Sequence, residues 1–250
     1  MRASMGLNMR ASLAALAALL AVPVTGCRHF SGYPPPAVKP PQDVLNFNTL
    51  YSANCAACHG KNGQDGPATD LANPEYEALV DDASLRKAIS NGVPGTQMPA
   101  FAQSAGGMLT DTQVGAIVAG MRQQWLRPNA FAGATPPPYA QVQAGDAKRG
   151  QQTYQARCAI CHAPARGQIT DPIYLALVSD QSLRSITIAG SPDIGHPDWR
   201  HDSKDGKSAT PLSDQDVADI VSYLASLRNA APAFAGNAAY PQPAPAGGKH

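Results

Sequence analysis

The sequence predicts an all-α chain of two tandem helical domains joined by a Pro-rich linker. Three observations carry this. A long segment occurs twice along the chain. The last stretch of each copy spaces its apolar residues at helical period: Val114, Ile117, Val118 and Met121, then Val217, Ile220, Val221 and Leu224. No long alternating run of the kind that marks a strand occurs in either copy.

Matching residues align the copies. Tyr51-Ser-Ala-Asn-Cys55-Ala-Ala-Cys58-His59 corresponds to Tyr154-Gln-Ala-Arg-Cys158-Ala-Ile-Cys161-His162 at an offset of 103. The offset falls to 98 for Asn73-Pro against Asp171-Pro and for Ser84-Leu85-Arg86 against Ser182-Leu183-Arg184. It returns to 103 for Leu109-Thr-Asp111 against Leu212-Ser-Asp214. The second copy is thus five residues shorter after its cysteines and regains them before its last helix, both in loop-like sequence where length changes are tolerated. Thr110 and Ser213 are the expected N-caps of the last helices. The domains span 46–127 and 145–229. Between them, 128–144 contains Pro128 and Pro136-Pro137-Pro138 and reads as a linker.

Composition narrows the function classes. The chain has 250 residues, 44% hydrophobic and only 15% charged, with 23 prolines and 22 glycines. Its net charge is +1 and no run of Lys or Arg exceeds two, so the strongly basic footprint of a nucleic-acid binder is missing. Domains of this size hold little apolar mass and usually need a staple or a cofactor.

The N-terminus reads as an address. Arg2 and Arg10 precede an apolar run, Ala11 to Val24, that is too short for a membrane span but suits an export signal. The run closes on Val24-Thr25-Gly26-Cys27, which resembles a bacterial lipoprotein signal with Cys27 as the lipidated first residue of the mature chain. An ordinary cleaved signal with an incidental cysteine is the alternative. Residues 27–45, with Pro34, Pro35, Pro36, Pro40 and Pro41, read as a semi-rigid tether, and 230–250 as a disordered tail.

The other four cysteines carry the chemistry. Cys-x-x-Cys-His is the attachment signal for c-type haem: the two thiols add to the haem vinyl groups and the adjacent His turns onto the iron. Cys55 and Cys58 would bind one haem with His59 as proximal ligand, and Cys158 and Cys161 another with His162. A zinc site, a redox dithiol or a disulfide within each motif are the alternatives, and none of them explains both histidines.

On these motifs the chain resembles a dihaem cytochrome c with two class I-type domains. The resemblance implies an α-helical fold in which N- and C-terminal helices pack together and loops wrap the haem. It implies support of the proximal ring by a backbone carbonyl near Gly66-Pro67 in the first domain, with only Pro164 as a weak counterpart in the second. It places the sixth ligand on a loop before the last helix, usually in Met-Pro. Met98-Pro99 fits that place in the first domain. At the 98 offset His196-Pro197 replaces it, and the second domain contains no Met. His196 is therefore the expected ligand of haem 2, with His201 in reserve and an open or water-bound iron as the remaining case. Haem 1, with His59 and Met98, is expected at the higher potential and haem 2, with His162 and His196, at the lower.

These readings imply an exported, membrane-anchored electron carrier rather than an enzyme. Its partners would be other redox proteins: a quinol-oxidising complex, a terminal oxidase, a soluble cytochrome or a periplasmic dehydrogenase. The main rival is a dihaem peroxidase with an open haem 2 iron and Asp198, His201 and Asp202 beside it. A gas-binding haem sensor is a third reading.

Overall fold

A computed structural model describes residues 38–163, 169–201 and 210–228. The leader, Cys27, most of the proline tether, Pro164, Asp202 and the tail lie outside the described residues. The body of the molecule begins at Pro41, with a short 3₁₀ turn at Pro41–Asp43.

The first domain has five helices. Asn46 caps α1 (Phe47–Asn54), its side chain accepting from the Thr49 N–H at 2.9 Å. The single turn α2 (Ala56–His59) follows and carries the second cysteine and the histidine of the motif. Asn73 caps α3 (Pro74–Leu79), whose first residue is a proline with no N–H to satisfy. Asp81 caps α4 (Asp82–Asn91). Thr110 and Gln113 form a reciprocal capping box at the start of α5 (Asp111–Trp125).

The second domain repeats the order: α6 (Ala147–Arg157), α7 (Ala159–His162), α8 (Pro172–Leu177), α9 (Asp180–Ala189) and α10 (Asp214–Arg228). Ser213 exchanges hydrogen bonds with Asp216, so both expected caps are in place. Among the described residues there is no strand, only the isolated bridges Ala102–Leu109 and Ser191–His196.

Each core forms where the first helix of a domain packs on its last, α1 on α5 and α6 on α10. All eight residues of the two periodic stripes are buried. In the first domain Phe47, Tyr51 and Trp125 form an aromatic cluster with ring centroids 5.3–5.6 Å apart. In the second the helices approach closely at Gly150, where a Cβ would stand 1.9 Å from the Asp219 carbonyl oxygen.

The last helix also ties down the segment leading into the first. Gln113 donates to the Pro41 and Val44 carbonyls, at 2.9 and 3.1 Å. In the second domain Asp219 does this work, accepting from the Asp146 N–H and from Arg149. An arginine from each last helix clamps the α3–α4 or α8–α9 corner. Arg122 donates to the Glu77 and Val80 carbonyls and pairs with Glu77 and Asp82. Arg228 donates to the Leu175 and Val178 carbonyls and pairs with Asp180.

The linker is pinned to the second domain. The buried Arg184 donates to the Pro138 and Tyr139 carbonyls and pairs with Asp214, and Gln181 adds a bond to Tyr139.

Candidate haem sites

In each domain the first helix ends at the first cysteine, and one further turn presents the second cysteine and the histidine. The Cys55 and Cys158 N–H groups close these helices by donating to the Tyr51 and Tyr154 carbonyls, both at 2.8 Å. All four cysteines are free thiols, so neither motif is a disulfide in this structure. Burial, above all, pushes the Cys55 and Cys158 thiols up to about 11. Among the described residues no three His, Cys, Asp or Glu side chains gather to hold a metal ion.

The tyrosines do more than end the turn. Tyr51 donates its hydroxyl to the Gly60 carbonyl at 2.9 Å, and Tyr154 donates to the His162 carbonyl at 3.1 Å. Each thereby holds the backbone at its proximal histidine. The repeated Tyr four residues before the first cysteine was the available signal, and motif reading alone passes over it.

His59 Nδ1 lies 2.8 Å from the Thr69 carbonyl oxygen. The supporting carbonyl is thus Thr69, not the expected Gly66-Pro67. Gly66 packs instead against the backbone at Cys58 and His59, where a Cβ would meet the Cys58 oxygen at 2.3 Å. Its role is close approach. A carbonyl on Nδ1 fixes the tautomer that leaves Nε2 free for a metal. Burial holds the His59 pKa below its ordinary value, opposed by the Thr69 bond.

The two distal loops share one backbone design. α4 ends at Gly92 (φ 69°) and α9 at Gly190 (φ 67°), and a Cβ at either would collide with the Met98 or His196 carbonyl oxygen at 2.6 or 2.7 Å. The next residue then donates to that carbonyl: Val93 to Met98 at 3.1 Å and Ser191 to His196 at 3.0 Å. Downstream, Leu109 donates to Phe101 at 2.8 Å and Leu212 to Trp199 at 2.9 Å. Met98 and His196 therefore occupy the same position in two equivalent loops, as the 98 offset requires. Met98 is half-buried against the first core, as is Cys55.

In the second domain the structure brings the expected side chains together. The rings of His162 and His196 lie close together, with centroids 5.9 Å apart and planes tilted by 43°. They line a cavity of about 860 Å³ together with Cys158 and Cys161, walled by aliphatic residues such as Ile169, Ile173, Leu183 and Ile186. This is the size and character of a cofactor pocket. With metal–imidazole bonds of about 2 Å on each side, one metal ion fits between the rings. A flat apolar cofactor would find here an apolar cavity with two thiols to attach it and two imidazoles to bind its metal. Burial and then the neighbouring His162 ring hold the His196 pKa low, opposed by a backbone hydrogen bond at Pro197. A neutral imidazole is the form that binds a metal.

His201 lines the same cavity, but its Nδ1 stands 3.2 Å from Asp198. Burial would raise the Asp198 carboxyl, yet hydrogen bonds from Arg200 hold it below its ordinary value. The pair is part-buried and engaged.

Comparison with known proteins agrees with this layout. A family model described as cytochrome c oxidase, cbb3-type, subunit III matches residues 42–119. One described as cytochrome c matches residues 147–228. The chain is also similar to the Cbb3-type cytochrome c oxidase subunit CcoP of Azospirillum sp. (strain B510), at 28% identity over 144 residues. That match covers 48% of this chain and 41% of the relative. The chain thus spans less than half the length of that relative.

Proposed function

We propose that the chain, with its two cytochrome c-type domains in tandem, holds two covalent haem c groups and is a lipid-anchored carrier of single electrons between respiratory or periplasmic redox proteins. The haems, when bound, supply one-electron Fe(III)/Fe(II) chemistry. The chain holds them through Cys55 and Cys58, and through Cys158 and Cys161. It supplies His59 and Met98 as axial ligands in the first domain and His162 and His196 in the second. The observation that carries this reading is the closeness of His162 and His196 in a cavity that both cysteines line.

The differing sixth ligands set the order of potentials. The Met98 thioether favours Fe(II), whereas the His196 imidazole donates more strongly and favours Fe(III). Haem 2 then has the lower potential and haem 1 the higher. Among partners, a terminal oxidase is favoured by the likeness to cbb3-type oxidase subunit sequences. Among the described residues no helix is long and apolar enough to cross a membrane, and attachment is assigned to Cys27.

Low-temperature EPR of the oxidised protein, with reduced spectra before and after CO, tests the ligand assignment. Two low-spin ferric signals and no CO shift are expected. A high-spin signal with CO binding at one haem would instead favour the peroxidase or sensor reading. For the anchor, Cys27→Ser should move the protein from the membrane to the soluble fraction. Release of wild type and variant alike would remove that assignment.

A further inference from the structure

The loop that carries His196 also touches the first domain. Asn73, buried at 3% exposure, donates from Nδ2 to the Gly190 carbonyl at 3.0 Å and to the Ala189 carbonyl at 3.3 Å. Gly190 opens the His196 loop, and the next residue, Ser191, exchanges both backbone hydrogen bonds with His196, at 3.0 and 2.9 Å. A side chain of the first domain therefore grips the second domain's distal loop one residue from its closing pair.

The far end of the loop is gripped as well. Arg200 donates to Asp198 through Nε and Nη2 and to the Phe131 carbonyl in the linker through Nη1, at 3.0 Å. Its guanidinium lies 4.8 Å over the Trp199 ring and 3.7 Å from Glu75 at the start of α3. Phe131 packs edge-on against Trp199, and Leu79 of α3 packs against the second core. The Met98 loop is built differently. Among the described residues its hydrogen bonds stay within the first domain, from Val93 and Thr96 and, at its far end, from Phe101 to the Ile89 carbonyl.

We propose that the contacts of the first domain and the linker with this loop form the clamp that keeps His196 on the second iron, with Asn73 and the loop's own Arg200 as the positioning residues. This rests on the reading of His196 as the sixth ligand. Between Gly190 and Trp199 the loop has only one 3₁₀ turn, Pro192–Ile194, and two glycines at positive φ. Such a loop keeps a ligand in place when its ends are fixed in advance, because the ordering cost is then met before the bond forms. Freed at Gly190 and Arg200, the loop can withdraw His196 and open the iron.

Asn73→Asp separates this role from simple folding. The remaining carboxylate oxygens can still cap α3, as Oδ1 does now by accepting from the Glu75 and Tyr76 N–H groups. The donor to Gly190 is lost, and a negative charge faces two carbonyl oxygens. Arg200→Gln breaks the other grip without touching the cap. Each is studied as the full-length holoprotein, by ferric EPR and by CO binding to the reduced form, with His196→Ala as the reference for an open second site.

Wild type should bind no CO. Asn73→Asp and Arg200→Gln should each gain the high-spin signal and CO adduct of His196→Ala at one haem, while the first haem keeps its low-spin signal as the internal control for folding. If both variants keep wild-type spectra and exclude CO, the clamp is refuted. If wild type itself binds CO, the His196 reading fails, and the clamp with it.

Discussion

Val93 donates to the Met98 carbonyl in the first domain and Ser191 to the His196 carbonyl in the second, each just after a glycine that ends a helix. The loops coincide in backbone and differ in the side chain they present. The same main-chain bonds thus close both loops around different side chains, and among the described residues only the His196 loop adds side-chain bonds from outside its own domain. The corner clamps differ in the opposite way. Arg122 and Arg228 grip equivalent carbonyls, but at the 103 offset Arg228 aligns with Trp125, not with Arg122. One contact is reached from helix positions a turn apart. Its partner also changes: the fully buried Glu77 in the first domain, where the second has Leu175.

The largest test breaks one half of the pair. Cys158→Ser with Cys161→Ser should remove one of the two covalent haems, read as haem per protein by alkaline pyridine spectroscopy, and leave the first domain's signal intact. Unchanged haem content would contradict attachment at that motif.

The clamps should differ in cost. Arg122→Met strands the buried Glu77 carboxylate, and denaturant unfolding should show a loss of about 3 kcal/mol, near the lower end for a broken buried pair. Arg228→Met loses a partner in Asp180 that is 58% exposed, along with two carbonyl bonds. It should cost roughly 1–2 kcal/mol. Equal losses would mean that burial of Glu77 is not the deciding difference.

The helix crossings give a third contrast. Gly150→Ala forces a Cβ onto the Asp219 backbone, which cannot turn aside, and should cost roughly 1–3 kcal/mol. Gly120→Ala meets the Phe47 side chain, which can rotate in part, and should cost less. Thermal unfolding of the two variants ranks them.

The smallest effect is in pH. Burial, only partly offset by Arg122, raises the Glu77 pKa above its ordinary 4.5. Its contribution to stability is therefore full below the ordinary value and is lost as pH rises through the raised one. Asp219 behaves oppositely. Burial would raise it, but Arg149, the Asp146 N–H and Gln215 hold it below its ordinary 3.8. Its contribution is present above that value and is lost as pH falls through the lowered one. Acidification toward 4.5 should thus raise hydrogen-exchange protection factors, corrected for the intrinsic rate at each pH, in α3 and α5, and stronger acid should lower them in α6 and α10. Glu77→Gln should abolish the first change only.

Much of this was legible in the sequence. Internal repetition located both domains, helical spacing located the packed stripes, and the 98 offset aligned His196 with Met98 before any coordinates. The rest depends on contacts across long sequence separations. Nothing local marks Thr69 as the carbonyl on His59, because the turn through Gly63 that delivers it is closed by backbone bonds. The grip of Asn73 on Gly190 joins residues 117 apart. Asn73 reads in sequence as a helix cap, which it also is. Tyr51 and Tyr154 were visible as repeats, but only the fold shows their hydroxyls at the histidine turn.

The central claim is that one side chain, at equivalent places in two loops, makes the two haem sites differ. Spectropotentiometry of wild type and His196→Met tests it most directly. Wild type should titrate as two components with haem 2 lower. The variant should raise haem 2 by on the order of a hundred millivolts, within the ~0.8 V that axial ligands command, and nearly merge the two. A wild type with haem 2 at the higher potential, or a gap that survives His196→Met unchanged, would contradict it.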